Sequence, residues 1–349
     1  MSDDVVVGLI GCGRISRYAH LPALLKAEGI ELRSICDTRR PLAEATGQRF
    51  GIEQVFDDAE ELLSEPEIEA VLIAVPDRFH IRLASTAIEA GKHVLVEKPL
   101  GVSSAECRGF VSRAKASGLK VQIGAMKRHD PGVEFARRFI GEVVGQVVSF
   151  RSWYGVSTYR AQYEATLFPP PAEDHELPAD EAAFRADKKR YYLATHGAHV
   201  FDTIRFLAGE PAGVTARLVT PLGDHYSWHG LIDLLDGGLG SFELTIPVQR
   251  GWDEGFELFG EHGSISIQTP FGFFMQPSEV RAFDGRRGEW RMPVLGKSDP
   301  WQRQLEAFAL AIRTDGPTNP DAEDGLAAVE LIETTARSVE IGDRVPWRS

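Results

Sequence analysis

Three short stretches of this chain carry residue types that do chemistry, at spacings that matter. In the first, Glu97-Lys98-Pro99 sets a carboxylate, an ammonium and a proline straight after the apolar run His93-Val94-Leu95-Val96. Open parallel sheets hold ligands outside the carboxyl ends of their strands, so an ammonium there can steady an oxygen that gains negative charge. In the second, Thr195-His196-Gly197-Ala198-His199-Val200-Phe201-Asp202 reads as a helix opened by Thr195 and ended by Gly209. Val200, Ile204 and Leu207 form its core stripe, while His199, Asp202 and Thr203 share another face. Imidazole exchanges protons near neutral pH with little tuning. In the third, Gly11-Cys12-Gly13-Arg14-Ile15-Ser16 follows the apolar run Val5–Ile10 and opens a helix that runs to about Glu28. The first glycine permits a tight turn, the second lets a pyrophosphate approach the backbone, and the helix N-terminus supplies donors and positive dipole.

Each stretch has a plainer reading: a solvated strand-end lysine, a packed helical histidine, a generic glycine turn. Asp37 weighs against the last of these. It closes the next strand, Ile30–Cys36, at about the distance from the loop where a dinucleotide fold sets its ribose-binding carboxylate. That carboxylate can accept both ribose hydroxyls of NAD and would repel a 2′-phosphate, so NAD is the expected cofactor; Arg39 and Arg40 could stack on adenine or admit NADP instead. The structural alternative for Asp37 is a cap on the helix that follows. Ser16 stands where the glycine motif has Gly or Ala, and is small enough for close helix packing.

The elements that must hold these residues follow from the apolar pattern. Strands at Val5–Ile10, Ile30–Cys36, Ile68–Val75, His93–Val96 and Lys120–Met126 alternate with helices, among them Asp58–Leu63, Phe79–Ala90 and one opened by a Ser103-x-x-Glu106 capping box. This alternation predicts a doubly wound parallel sheet over residues 1–126. Residues 127–349 predict a second α/β domain. Asp130-Pro131 starts a helix, Val143–Tyr154 is a strand, and the Pro-rich, unperiodic Thr158–Arg190 reads as a long functional or mobile loop. After Gly213, period-two stretches such as Ser241–Ile246 predict a large, mainly antiparallel open sheet with one apolar face, before closing helices at Pro300–Arg313 and Asp321–Glu340. The other face is free to meet a second subunit, so a homo-oligomer is expected.

The net charge of −13 argues against a nucleic-acid partner, which calls for a basic face. Cys12, Cys36 and Cys107 are scattered without paired spacing, so neither a disulfide framework nor a metal site is expected. The acidic start Met1-Ser2-Asp3-Asp4 and the lack of a long apolar segment lead to the expectation of a cytoplasmic protein with neither leader nor membrane span.

Taken together, Gly11-x-Gly13 with Asp37, Val75-Pro76-x-x-x-His80, Glu97-Lys98-Pro99, Gly124-Ala125-Met126-Lys127-Arg128-x-Asp130-Pro131, His199-x-x-Asp202, and the C-terminal Glu323-Asp324-Gly325 with Arg337-Ser338-x-Glu340-x-Gly342 resemble the Gfo/Idh/MocA oxidoreductases over nearly the whole chain. The resemblance implies a Rossmann domain followed by an α/β domain that often pairs sheet to sheet in homodimers or homotetramers. It also implies NAD(P)-dependent oxidation or reduction of a sugar, an inositol or a relative. On that footing Lys98 holds the reacting hydroxyl, His199 is the acid/base, and Glu97 and Pro99 shape the nicotinamide pocket. Gly11, Gly13, Arg14, Ile15, Ser16, Asp37, Arg39, Val75, Pro76 and His80 complete the cofactor set. Three features depart from the family pattern. Thr195 stands where many members have Asp, Lys189-Arg190-Tyr191-Tyr192-Leu193 replaces a glycine-rich approach, and Lys127 replaces a frequent Arg. The loss of the Asp leaves His196 as an alternative proton carrier.

The expected reaction is transfer of hydride from a secondary ring alcohol to NAD, with His199 taking the hydroxyl proton. Substrate contacts are expected from Lys98, Lys127, Thr195, His196 and Asp202, from Arg151 and Arg160, and from the aromatic faces of Trp153, Tyr154, Tyr159, Tyr163 and Trp228. The length of Thr158–Arg190 points to a bulkier substrate such as a glycoside. Two other readings stay open: a glycoside-cleaving enzyme that recycles NAD through transient oxidation, and a non-catalytic NAD-dependent sensor or repressor.

Overall fold

Val5–Ile10 (β1) is apolar throughout, as a strand covered by helices on both faces must be, and only Val6 in it is part-exposed. In this computed structural model, which describes residues 4–167 and 179–348, β1 lies within a six-stranded parallel sheet. Its companions are β2 (Ile30–Cys36), β3 (Gln54–Phe56), β4 (Ala70–Ile73), β5 (His93–Glu97) and β6 (Val121–Gly124), in the order β3-β2-β1-β4-β5-β6. The strand order reverses between β1 and β4, the point at which such sheets open a ligand crevice. Gly11 stands at that point with φ 103°, and a Cβ on it would lie 2.3 Å from the Ala74 carbonyl oxygen, so no other residue fits.

After the glycine turn, a π-helical turn (Ser16–His20) runs into α1 (Leu21–Leu24), which stops short of the expected Glu28. The connecting helices are α2 (Arg40–Phe50), α3 (Ala59–Ser64), α4 (His80–Glu89) and α5 (Ser104–Ser117). Asp58 caps α3 by accepting the Glu60 N–H. Ser103 occupies the N-cap of α5, but its hydroxyl makes no cap bond there, so the predicted capping box with Glu106 does not close.

The second unit begins with α6 (Pro131–Phe139), capped by Asp130, whose carboxylate accepts from Gly132 and Val133. A π-helical turn (Ile140–Val144) extends this helix, which delays the next strand, β7 (Val147–Ser157), past the expected Val143. The segment expected as one loop holds α7 (Arg160–Leu167), α8 (Ala179–Ala186) and the start of α9 (Lys188–Ala208); residues 168–178 lie outside the described residues. Asp187 caps α9, so Thr195 sits inside the helix rather than opening it. The first turns of α9 escaped the periodicity because Tyr191 and Tyr192 pack on Phe184 and Tyr226 instead of adding to the aliphatic stripe.

Then follow β8 (Pro211–Val219), β9 (Tyr226–Leu234), β10 (Leu239–Val248), β11 (Asp253–Gly260), β12 (Gly263–Thr269), β13 (Glu279–Asp284) and β14 (Glu289–Arg291). After them come α10 (Pro300–Arg313), α11 (Ala322–Ile341) and β15 (Val345–Pro346). The nine strands of this sheet run β14-β13-β12-β11-β7-β10-β9-β8-β15, antiparallel except where β7 and β10 pair. Helix α9 covers one face, with Phe201 edge-on to Phe242 at 5.3 Å.

The expected second domain, 127–349, is not one body. Residues 299–329 belong with the first unit, and 127–298 with 330–348 make the second. The physical reason is apolar burial together with backbone pairing. Leu326 and Val329 join the core around Phe110, Ile123 N–H donates to the Pro320 carbonyl at 3.0 Å, and Thr318 Oγ1 donates to Val121 O at 2.7 Å.

Candidate active site

In the first unit the candidate cofactor residues cluster at the carboxyl ends of β1 and β2. Asp37 is buried and accepts the Cys12 N–H at 2.9 Å, the Arg39 N–H at 3.0 Å and the Arg39 guanidinium at 2.9 Å. Burial pushes this carboxyl up, but the Arg39 and Cys12 hydrogen bonds outweigh it, and the pKa ends below the ordinary value. A Cβ on Gly13 would meet nothing within 4 Å, so a ligand can reach the backbone there, and Ser16 Oγ is buried with no hydrogen-bond partner among the described residues. Arg14 lies over the Tyr18 ring at 5.9 Å, and Ile15 precedes the π-helical turn. A glycine-only turn, an open backbone at a helix start and an ionised carboxylate on the next strand fit a dinucleotide. Burial drives the Cys12 thiol up to about 12, so it is inert.

At the end of β5, Glu97 is buried and accepts two hydrogen bonds: His20 Nε2 lies 2.8 Å from Oε1, and the Lys98 N–H donates to Oε2 at 3.0 Å. Lys98 is partly exposed and precedes a cis proline, Pro99. His80 is fully buried, its ring nitrogens 2.7 Å from the Pro99 carbonyl and 2.9 Å from that of Val75. It braces the turn after Lys98 against the turn that carries Val75 and Pro76.

In the second unit the candidate residues gather on Tyr154. This side chain is buried on the helix-covered face of β7. His199 stacks on its ring (5.9 Å between centroids, 8° between planes), His196 lies tilted at 5.6 Å, Trp252 is edge-on at 5.5 Å, and Lys127 Nζ stands 4.4 Å from the ring centre. His199 is partly exposed, whereas His196 is buried. Burial, aided by the Glu254 charge, pushes the Tyr154 hydroxyl well above the usual range, so it stays protonated. Lys127 forms a buried ion pair with Glu254, which also accepts from Trp252 Nε1 at 3.3 Å. Lys127, Tyr154, Glu254 and Thr203 border a cavity of about 10 Å³, room for about one water.

Several expected substrate contacts are otherwise engaged. Asp202 accepts a bidentate guanidinium from Arg128 (3.0 and 2.7 Å), both side chains buried. Strand alternation puts Trp153 on the opposite face of the sheet from Tyr154, with its Nε1 donating to Asp253 and the Arg151 guanidinium 5.5 Å above it. Trp228 is fully buried and stacks on Tyr226, a core residue rather than a sugar platform. Arg160 pairs with Glu164 on α7, and Tyr163 packs on Phe271. Sequence reading missed His20, Arg128, Trp252 and Glu254 as participants. Arg128 lay in a quoted motif, but the other three become visible only through contacts more than 70 residues apart in the chain, or through their neighbours' contacts.

Residues 5–125 match the model of an oxidoreductase family with an NAD-binding Rossmann fold, and residues 139–266 match the Gfo/Idh/MocA C-terminal domain. The chain belongs to the Gfo/Idh/MocA family. Among curated relatives of this family, a levoglucosan dehydrogenase of Pseudarthrobacter phenanthrenivorans is 27% identical over 95% of this chain and 96% of its own. An inositol 2-dehydrogenase of Rubrobacter xylanophilus is 25% identical over 98% of this chain and 92% of its own. A solved levoglucosan dehydrogenase in complex with NADH and levoglucosan superposes with a TM-score of 0.81 at 24% identity, covering 99% of this chain and all of that one, and so shares the fold. As a Gfo/Idh/MocA oxidoreductase, the chain carries its NAD-binding Rossmann domain in the first unit. Among the described residues no helix is long and apolar enough to cross a membrane.

Proposed function

We propose that this protein is an NAD-dependent dehydrogenase of a sugar, an inositol or a glycoside, oxidising a secondary ring alcohol to a ketone. The first unit would hold the dinucleotide, with Gly11, Gly13, Arg14, Ile15 and Ser16 at the phosphates and Asp37 on the ribose hydroxyls. NAD, when bound, supplies the acceptor for the hydride that leaves the carbinol carbon. Lys98 would donate a charge-assisted hydrogen bond to the alcohol oxygen and stabilise its developing negative charge. His199 would remove the hydroxyl proton as general base. Val75, Pro76, His80 and Glu97 shape the pocket around Lys98 without themselves moving a proton.

The observation that carries this reading is the Tyr154 cluster. A partly exposed imidazole is stacked on a buried phenol that carries a buried ammonium 4.4 Å from its ring centre, an arrangement that fixes His199 without closing it off. Dehydrogenases of levoglucosan, inositol and apiose among the relatives support a carbohydrate alcohol as the substrate class. Asp202 would act through Arg128 rather than on the substrate. Cys12, Cys36 and Cys107 are buried and form no disulfide, which suits a reducing cytoplasm. The outward face of the nine-stranded sheet, a groove bordered by Arg151, Trp153, Arg217 and Leu231, is our candidate for a homodimer or homotetramer contact. Sedimentation as a monomer at working concentration would remove that last element.

The test is a panel of sugars, inositols, sugar acids and glycosides assayed for NADH appearance. Lys98→Met and His199→Ala should each lower kcat on the best substrate at least about a hundredfold, as removal of a positioned proton-transfer group does, with NAD affinity nearly unchanged. Net accumulation of NADH excludes a recycled cofactor. Near-wild-type turnover in both variants refutes the assignment.

A further inference from the structure

His20 has no role in the reading above, yet its placement is specific. It closes the π-helical turn Ser16–His20, a helix defect that re-aims side chains and recurs at functional sites, and it has no exposed surface. Its Nε2 lies 2.8 Å from Glu97 Oε1. Burial raises the Glu97 carboxyl, but the His20 hydrogen bond and the charges of His20, Lys98 and His80 outweigh it, so the group stays ionised and can only accept. Nε2 therefore carries the hydrogen. The other carboxylate oxygen accepts the Lys98 N–H at 3.0 Å, making an unbroken path from His20 through Glu97 to the backbone of Lys98. Gly124 closes one side of Glu97: a Cβ there would lie 3.0 Å from Glu97 Cα and 3.1 Å from its carboxyl carbon.

We propose that His20 is a positioning residue, which holds the Glu97 carboxylate in the orientation that fixes the Lys98 backbone and so aims the Lys98 ammonium at the reacting oxygen. This rests on the dehydrogenase reading for its catalytic consequence, though not for its geometry. Without the Nε2–H donor the carboxylate is held from the Lys98 side alone, and small misplacements of a group that contacts the transition state cost rate more than binding.

The test compares His20→Leu, which removes the donor, with His20→Gln, which returns an N–H of similar reach. On the best carbohydrate substrate His20→Leu should lower kcat between about tenfold and a hundredfold, with KM and NAD affinity, read by quenching of protein fluorescence, moving less than about threefold. His20→Gln should recover most of the loss. Independently of any substrate, acylation of the Lys98 amine, located by peptide mass spectrometry in protein with and without NAD, should run at least about threefold faster in His20→Leu than in wild type or His20→Gln. Wild-type kcat with unchanged Lys98 labelling in His20→Leu overturns the proposal. Equal impairment of the two variants also overturns it, because packing rather than the donor would then be what matters. If the wild-type protein oxidises nothing on the panel while Lys98 labelling still separates the two variants, the dehydrogenase reading fails and the positioning role stands.

Discussion

Glu97 in the first unit and Glu254 in the second are the same residue type, each 7% exposed, yet their carboxyls are pushed in opposite directions. Burial raises both. At Glu97 the His20 hydrogen bond and the neighbouring Lys98 ammonium help to outweigh it. At Glu254 one ammonium, Lys127, and the indole of Trp252 do not, and the nearby Asp130 carboxylate adds to the upward push. The number of partners that a buried carboxylate is given, not its depth, decides whether it serves as a fixed negative post or as a group close to giving up its charge. Glu97 is the post. Glu254 is a counter-ion whose hold on Lys127 depends on pH.

The largest expected effect breaks the Glu254 side of that contrast. Lys127→Met leaves a buried carboxylate without its cation, which costs about 3–5 kcal/mol where the group is charged. Because burial has already raised Glu254, and losing Lys127 raises it further, the variant protein can escape by taking up a proton. A carboxyl raised on folding contributes its stability below its unfolded pKa of about 4.3 and loses it as pH rises through the folded value. The cost of Lys127→Met, measured by urea unfolding, should therefore be largest at pH 8 and shrink toward pH 5. A cost independent of pH would mean that the two carboxylates do not differ as described.

Glu97→Gln should show the opposite slope with a smaller amplitude. A depressed carboxyl contributes stability that is present above the unfolded pKa and lost as pH falls through the folded one. The wild type should be more stable than Glu97→Gln by about 1.5–3 kcal/mol at pH 7, the size expected of hydrogen bonds to a charged group. That advantage should shrink as pH falls through the unfolded value of about 4.3 and vanish only below the still lower folded one, where the wild-type carboxyl is protonated too. A difference that grows toward acid would reverse the assignment.

The same contrast separates what the sequence shows from what it hides. The parallel sheet was legible because β1, β4 and β5 are continuous apolar runs ended by Gly11, Pro76 and Pro99, and local chain order alone sets their neighbours. The glycine turn and Asp37 were legible for the same reason. The second unit was legible as alternating strands, but not as a site, because Lys127 with Glu254 and Arg128 with Asp202 are pairs made across 127 and 74 residues of chain. Without Arg128, Asp202 reads as a substrate contact. Trp153 and Tyr154 read as one aromatic patch until strand alternation parts them, and Lys188–Tyr192 reads as loop because its tyrosines pack on other aromatics. Residues 299–329 were misplaced because α10 and the first turns of α11, up to Val329, carry no local sign of the unit that they return to.

Glu254→Gln turns the comparison toward specificity. At pH 8 the change removes the negative charge beside Lys127 and leaves its ammonium uncompensated under Tyr154, so a substrate bearing a carboxylate gains a partner. The ratio of kcat/KM for a sugar acid over the matching neutral sugar should rise about tenfold, or roughly 1.4 kcal/mol of differential binding. An unchanged ratio would place Lys127 out of reach of the substrate, and would reduce the pair to a structural role.

The smallest effect applies the same logic to two helix caps, one in each unit. Asp130 accepts from Gly132 and Val133 and also from the Ser278 N–H at 2.9 Å, so it binds what it faces. Ser103 holds the equivalent position on α5 with no cap bond to its hydroxyl. A bonded cap is worth about 0.5–2 kcal/mol, so Asp130→Ala should fall in that range or above it, because Ser278 also loses its acceptor. Ser103→Ala has no such bond to lose and should stay within about 0.5 kcal/mol of wild type by urea unfolding. A loss near 1 kcal/mol in Ser103→Ala would show that the capping box with Glu106 does form in solution.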